Sequence, residues 1–164
     1  MSCGPVYASP VASSIPFDNT GTGFIATDVQ AAIIEGVNRN TTIQVSSVAT
    51  ATTASTTDAL LTTMSITPTP AQYLAFFNSS MIADAAGQAI SASFYVGGTQ
   101  VPESLRKIAP ADGGALSVGT ARGIMDVMGI ITVTTGQTVE VRWSTSSGTA
   151  TCGPRTFVLL RVSA

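Results

Sequence analysis

The sequence contains no histidine, and charged residues make up only 10% of its 164 positions. Histidine is the side chain that most often serves as a general base near neutral pH and as a metal ligand. The nine acidic residues are spread along the whole chain, and no phosphate-binding loop, zinc-protease motif or serine-hydrolase elbow occurs. We therefore expect a protein that is not an enzyme and that uses no metal or cofactor.

Positive charge and long apolar segments are also scarce. One lysine and six arginines are scattered along the chain, and the net charge is −2. Because no basic patch is available to neutralise phosphates, binding to nucleic acid is not expected. No run of about 18 apolar residues occurs, so membrane insertion is not expected either. The N-terminus lacks the basic and apolar regions of a signal peptide, which predicts synthesis in the cytoplasm without secretion.

Cysteine is limited to Cys3 and Cys152, which lie far apart in the sequence. Lone thiols in a protein made in a reducing compartment are usually free and buried, and this is the interpretation that we favour. A disulfide between the N-terminal segment of one copy and a loop of another is the alternative.

Low charge is combined here with considerable hydrophobicity. Apolar residues make up 45% of the chain and the mean hydropathy is +0.38. Disordered segments show the opposite combination, and the surface of a soluble monomer usually carries more charge. The composition therefore predicts a homo-oligomer, in which other copies of the chain cover part of the surface.

The first 16 residues contain three prolines among small residues, which predicts an extended arm. Such an arm has no core of its own, so we expect a partner to hold it in place. The residues that we expect to anchor it are Pro5, Val6, Tyr7, Pro10, Ile15 and Phe17.

A short helix is predicted to begin at Thr27. Thr27 and Gln30 match a capping box, and Asp28 lies in the first turn, where the helix dipole favours negative charge. Val29, Ile33 and Val37 form one apolar stripe. The stripe packs either on its own domain or against the same helix of other copies. We predict that residues 1–40 form the arm and helix, and that residues 41–164 form a separate β domain.

From residue 41 onward, apolar and polar residues alternate with the period of two that is typical of strands. Strands are expected near 42–50, 59–67, 72–78, 90–96, 123–134, 139–143 and 155–163. Gly129 lies inside one of these segments and indicates a bulge or bend. The pattern predicts an antiparallel β-sandwich.

Two of these strands are apolar on both faces, namely 73–77 and 157–162. A strand of a sandwich buries one face in its own core, so a second apolar face needs another cover. We predict that a partner subunit supplies it by contacting Leu74, Phe76, Val158, Leu160 and Val162, or the alternate residues of the same strands.

Two weaker patterns invite a functional interpretation. Asp126 lies among the apolar residues Ile124, Met128 and Ile130, and could belong to a carboxylate pair; an ion pair with Arg122, Arg142 or Arg155 is the interpretation that we favour. Residues 21–26 match the dinucleotide-binding pattern G-x-G-x-x-A, but no strand precedes them, so we interpret them as turn glycines.

The stretch that leads into the helix is the most distinctive part of the chain. Residues 15–35 read Ile-Pro-Phe-Asp-Asn-Thr-Gly-Thr-Gly-Phe-Ile-Ala-Thr-Asp-Val-Gln-Ala-Ala-Ile-Ile-Glu. Over residues 15–37 the sequence resembles a segment that recurs in tailed-bacteriophage fibre and head-decoration proteins, ahead of a trimeric β domain.

A second resemblance covers roughly residues 60–163. Residues 73–77 (Tyr-Leu-Ala-Phe-Phe), 94–98 (Phe-Tyr-Val-Gly-Gly), 136–143 (Gly-Gln-Thr-Val-Glu-Val-Arg-Trp) and 155–162 (Arg-Thr-Phe-Val-Leu-Leu-Arg-Val) resemble successive strands of C1q/TNF-like jelly rolls. The resemblance implies a jelly-roll β-sandwich that forms compact trimers. The calcium and receptor loops of animal members have no counterpart here, so those activities are not implied.

Together the resemblances imply a structural virion protein of a tailed bacteriophage. The expected form is a homotrimer on the capsid surface, held to other virion proteins, in particular the major capsid protein, by its N-terminal arm. The alternative is a tail-fibre or receptor-binding protein whose jelly roll contacts a glycan or protein on the host surface.

Overall fold

The computed structural model describes residues 11–20, 24–39, 42–84, 87–109 and 121–163. The chain divides into two compact units between residues 41 and 42. The N-terminal unit contains a short 3₁₀ helix, Ala12–Ser14, and the helix α1, Val29–Arg39. The C-terminal unit contains the strands.

The helix begins later than the sequence predicts. The Phe17 N–H donates to the Thr27 carbonyl at 3.0 Å, and Pro16 forms an isolated antiparallel bridge with Asp28. Thr27 therefore lies in a bend ahead of the first helical residue, Val29. Asp28 is the capping residue instead, because its Oδ1 accepts the Ala31 N–H at 2.8 Å.

Ten strands form two antiparallel sheets. They are β1 Thr42–Ser47, β2 Ala51–Thr53, β3 Ala59–Ile66, β4 Ala71–Ala83, β5 Ile90–Val96, β6 Thr99–Gln100, β7 Arg106–Ile108, β8 Ala121–Val133, β9 Val139–Thr145 and β10 Ala150–Ser163. A second 3₁₀ helix spans Pro102–Ser104. Sheet I has the order β1-β10-β4-β8, with β2 also paired to β10, and sheet II has the order β3-β9-β5-β6, with β7 also paired to β5.

The long strands β3, β4, β5, β8, β9 and β10 alternate between sheet II and sheet I along the chain. This alternation is the connectivity of a jelly roll. The structure thus confirms the predicted fold class, which is mostly β with one short α-helix and two antiparallel sheets packed as a sandwich.

The core lies between the inner faces of the two sheets. Trp143, Tyr73, Phe77, Phe94 and Phe157 are its largest fully buried side chains. The rings of Phe94 and Phe157 stack across the sandwich with centroids 5.5 Å apart. The period of two predicts that Ile90, Ala92, Phe94 and Val96 share one face and that Val139, Val141 and Trp143 point inward. The structure buries all of these in the core except Val96, which is partly buried.

Several strand boundaries differ from the predicted ones. The expected strand at 42–50 ends at Ser47 as β1, and the separate strand β2 follows it at Ala51–Thr53. β4 extends beyond both predicted ends, and β10 begins earlier than predicted, at Ala150. β10 passes Pro154 by a register shift between Cys152 and Arg155, which lets a residue without an N–H sit in a long strand.

The predicted bulge at Gly129 is absent. β8 pairs with β4 in unbroken register from Ala121 to Val133. A Cβ at Gly129 would lie 3.6 Å from the Ser104 Cβ and 3.9 Å from the Phe94 ring. Gly129 therefore leaves room for close packing and does not bend the strand.

Candidate interaction surface

The outer face of sheet I carries a continuous set of apolar side chains. They alternate along β4, β8 and β10 with residues that point into the core. We call this set the outer apolar face, and its members are Leu74, Phe76, Ile124, Met128, Ile130, Val158, Leu160 and Val162.

Strand register brings these residues into rows across the sheet. Leu74 lies opposite Ile130 on β8 and opposite Leu160 on β10. One step along, Phe76 lies opposite Met128 and Val158. Cross-strand neighbours in such rows are about 5 Å apart, so the side chains form one surface.

The outer apolar face is most open along β8. Ile124 is 68% exposed, Ile130 is 63% exposed and Met128 is 53% exposed. The members of the outer apolar face on β4 and β10 are less exposed than these three residues. Grouped exposed apolar side chains of this size make this face the candidate interaction surface of the described residues.

A polar row crosses this surface between Ile124 and the row that contains Met128. Asn78 lies opposite Asp126 on β8 and opposite Thr156 on β10, and its Nδ2 donates to the Asp126 Oδ1 at 2.5 Å. A depression of about 370 Å³ lies between this row and the row formed by Met128, Phe76 and Val158. One wall of the depression is therefore apolar, and the other holds a carboxylate.

The predicted ion pairs of Asp126 are not formed with the arginines that the structure describes. Arg142 pairs with Glu140 on sheet II, where its Nη2 lies 2.7 Å from the Glu140 Oε2. Arg155 is buried and donates to the carbonyls of Ala49 and Thr62. The side chain of Arg122 lies outside the description.

The outer face of sheet II has a contrasting polar character. The Tyr95 hydroxyl donates to the Asp58 Oδ2 at 2.7 Å, and the Ser144 hydroxyl donates to the Asp58 Oδ1 at 2.8 Å. The Arg142 guanidinium lies 4.5 Å from the centre of the Tyr95 ring. Desolvation, together with the hydrogen bond to Asp58, raises the pKa of Tyr95 to about 12. We call this network of paired groups the polar face.

The structure places all five sheet residues of the predicted interface on the outer apolar face. Leu74, Phe76, Val158, Leu160 and Val162 point away from the core, while the alternates Tyr73, Ala75, Phe77, Phe157 and Leu159 are buried.

Sequence reasoning did not include Ile124, Met128 and Ile130 in the interface. The sequence does contain a signal for them, because β8 carries apolar residues on both faces. Met125 and Val127 lie on the face opposite to Ile124, Met128 and Ile130, and both are buried. β8 is thus a third strand that is apolar on both faces.

The residues predicted for the helix and arm are only partly described. On α1, Ile33 is 60% exposed and Val29 is half-buried, while the side chain of Val37 lies outside the description. Ile15 is 38% exposed, and Phe17 packs edge-to-face on Phe24 with ring centroids 5.9 Å apart. Pro5, Val6, Tyr7 and Pro10 lie outside the described residues.

Cys152 is a buried free thiol, whose Sγ lies 2.9 Å from the Ser79 hydroxyl oxygen. Burial raises the pKa of this thiol above its ordinary value. Both observations agree with the interpretation of a structural cysteine. Cys3 lies outside the described residues.

Within the described ranges, no group of three or more acidic, histidine or cysteine side chains is arranged to hold a metal ion. The one α-helix in those ranges is too short to cross a membrane.

Comparison with known proteins gives a match in fold only. No protein-family model and no curated protein sequence matches the chain. The structure is similar to VP2 of infectious bursal disease virus in its subviral particle, with a TM-score of 0.50 and 16% sequence identity. That match covers 90% of this chain and 37% of the VP2 chain. A structure of the Gx strain of the same virus matches with a TM-score of 0.48 and 14% identity, over 75% of this chain and 33% of the viral chain. The chain therefore shares its β-sandwich fold with a protein of a viral particle.

Proposed function

We propose that the chain is a structural virion protein that assembles into homotrimers through the outer apolar face. It decorates the capsid of a tailed bacteriophage and has no catalytic role. The observation that carries the proposal is the difference between the two sheets: sheet I presents an open apolar surface, and sheet II presents a hydrogen-bonded polar network.

The size of the outer apolar face suits an interface between protein subunits. The three strands that carry the outer apolar face span about 14 Å, and eight residues of strand span about 27 Å. The resulting footprint of roughly 380 Å² is about half of the roughly 800 Å² that each partner buries in a typical stable complex. Burying the exposed part of one of its side chains contributes on the order of 1 kcal/mol to the free energy of association. The whole set therefore offsets much of the translational and rotational freedom that the subunits lose when they associate.

A second copy of the chain is the partner that fits this surface best. The outer apolar face carries little formal charge and so offers little to attract a charged partner, whereas three copies of the chain around a threefold axis would each bring an equally apolar face to the shared contact. The C1q/TNF-like resemblance, which implies compact trimers, supports three copies. Three further apolar positions on α1 and the preceding loop, Ile25, Ile33 and Ile34, are also exposed and could be covered in the same assembly.

The virion role rests on other support. The resemblance of residues 15–37 to phage fibre and head-decoration segments suggests the source of the protein, and VP2, which shares the fold, forms a subviral particle. We propose that residues 1–16 bind the major capsid protein. The same trimer on a tail fibre is the second candidate, and electron microscopy of labelled phage particles would distinguish the two locations.

The first prediction tests the assembly. Met128→Glu places a charge in the centre of the outer apolar face, so it should convert the trimer to single chains without unfolding them, because position 128 is already half-exposed. The mass is measured by light scattering at micromolar concentration.

Leu60→Glu is the matched control. Leu60 is an apolar residue of similar exposure on the outer side of sheet II, where it lies opposite Arg142. This variant should remain trimeric. A single-chain mass for the unmodified protein, or an equal effect of the two substitutions, would exclude the proposed interface.

A further inference from the structure

We infer that Asp126 makes assembly through the outer apolar face sensitive to acid, so that the subunits associate more tightly as the pH falls from neutral. This inference rests on the proposed function, since it requires another copy to cover the face.

Asp126 occupies an unusual position for a carboxylate. It lies on β8 between Ile124 and Met128, which are both among the most exposed apolar residues of the structure. A partner that covers these two neighbours also covers Asp126. The carboxylate therefore belongs to a polar row that assembly through the outer apolar face would remove from water together with these two neighbours.

Asp126 is only partly satisfied by its own chain. The Asn78 Nδ2 donates to its Oδ1, and this amide is the one partner that the described part of the chain provides. An ionised carboxylate offers about four acceptor positions on its two oxygens. In a single copy, water can reach the remaining acceptor positions of the carboxylate, because the Asp126 side chain is exposed.

No described positive charge compensates Asp126 on this face. The side chains that face it are Asn78 of β4, Thr156 of β10 and Ser46 of β1, and none of them titrates. Along β8, the nearest cationic residue is Arg122, whose backbone lies four residues away, a distance of about 14 Å in a strand.

The direction of the effect follows from desolvation. Covering an ionised carboxylate without a counter-charge costs free energy, whereas a protonated one is neutral and can donate its O–H to the neighbouring subunit. The assembled state therefore takes up protons at Asp126. A state that binds more protons is favoured as the pH falls, by up to about tenfold in the association constant per pH unit for each proton.

The test measures the association constant by sedimentation equilibrium from about pH 7.5 to about pH 5, above the range in which an ordinary aspartate is protonated in isolation. The unmodified protein should associate more tightly at the acidic end. Asp126→Asn should associate more tightly than the unmodified protein at pH 7.5, and its profile should be nearly flat.

Glu103→Gln is the control for charge. Glu103 is exposed on the 3₁₀ helix Pro102–Ser104, and its replacement removes the same single charge away from the outer apolar face. This variant should keep the acid-dependent profile of the unmodified protein. Near-ultraviolet circular dichroism from the buried Trp143 verifies that each variant is folded.

The possible outcomes separate the two proposals. A protein that forms oligomers with no pH dependence, or an Asp126→Asn variant that keeps the full dependence, overturns the inference and leaves the interface standing. Weaker association at acidic pH also overturns it, because it would indicate an ion pair between Asp126 and a cation of a neighbouring copy. A single-chain mass at every pH overturns both proposals.

Discussion

Arg155 is a buried cation whose two terminal nitrogens bind carbonyl oxygens rather than a carboxylate, while its buried Nε has no hydrogen-bond partner among the described residues. It is 4% exposed, and its guanidinium donates to the Ala49 carbonyl at 2.6 Å and to the Thr62 carbonyl at 2.9 Å. It thus ties β10 to β3 and to the connection between β1 and β2. Next to Thr62, Thr63 has a φ of 71°, a left-handed conformation that is uncommon for a residue with a branched side chain.

We predict that Arg155→Gln lowers the free energy of unfolding by about 3 kcal/mol, because the shorter side chain leaves buried carbonyl oxygens without donors. Urea denaturation at neutral pH measures the change. Arg106→Gln is the control, since Arg106 is exposed and its hydrogen bonds to Glu103 and Leu105 are local. An equal loss in both variants would show that Arg155 has no special structural role.

At the scale of single residues, sequence reasoning was weakest where a contact joins distant segments. Asp126 was expected to pair with an arginine, and it pairs instead with Asn78, 48 residues earlier. The partner depends on the register between β4 and β8, and alternation along one strand does not specify that register. The terminal nitrogens of Arg155 donate to loop and strand carbonyls, which leave no mark in the sequence.

At the scale of elements, the start of α1 shows how a turn can shift a helix boundary. Thr27 and Asp28 are both good capping residues in sequence terms. Thr27 forms a bend beside the antiparallel pairing of residues 16–17 with residues 27–28, and among the described residues it is Asp28 that accepts a helical N–H.

We predict that Asp28→Ala weakens the first turn of α1 by about 1 kcal/mol, whereas Thr27→Ala has little effect on it. Amide hydrogen exchange at Ala31 measures the difference, since its N–H is the one that Asp28 accepts. Faster exchange after Thr27→Ala than after Asp28→Ala would restore the original capping assignment.

The sequence predicted the existence of the long strands more accurately than the residues at which they begin and end. Alternation identified the long strands and the buried faces of β5 and β9, because the pleat places every second residue in the core. β6 and β7 have two and three residues and were missed, since such short segments carry no periodic signal. For β4 and β10, both faces are apolar, so only the structure distinguishes core residues such as Phe77 and Phe157 from the outer apolar face.

At the scale of the whole molecule, the C-terminal unit is a sandwich with two different outer surfaces. Sheet I offers the outer apolar face, whereas sheet II offers the polar face, where Asp58 accepts hydrogen bonds from Tyr95 and Ser144. In a trimer closed through sheet I, the polar face would remain in contact with water. The low overall charge of the chain is then understandable, because a large part of its apolar surface is shared between copies.

The last prediction concerns attachment to the particle. Three arms on one trimer multiply the effective concentration of weak contacts, so a trimer should bind an assembled capsid far more tightly than a free peptide of residues 1–16. The arm contains no charged residue. Its binding should therefore depend only weakly on salt, because screening acts on charges. Occupancy of particles stripped of this protein, measured across a salt series for the trimer and for the peptide, tests both expectations.

A chain that begins at residue 17 provides the matched control for attachment. The boundary between the two compact units lies between residues 41 and 42, so this deletion keeps every described strand and the residues of α1, and it removes the Ile15 carbonyl that accepts the Val29 N–H and the bridge of Pro16 with Asp28. It should remain trimeric, because the outer apolar face is intact, and it should fail to occupy the particles. Unchanged occupancy without residues 1–16 would place the anchor elsewhere in the chain. Release of the full trimer by moderate salt, or equally tight binding of the free peptide, would show that ion pairs or a single strong site, rather than avidity, hold the protein on the capsid.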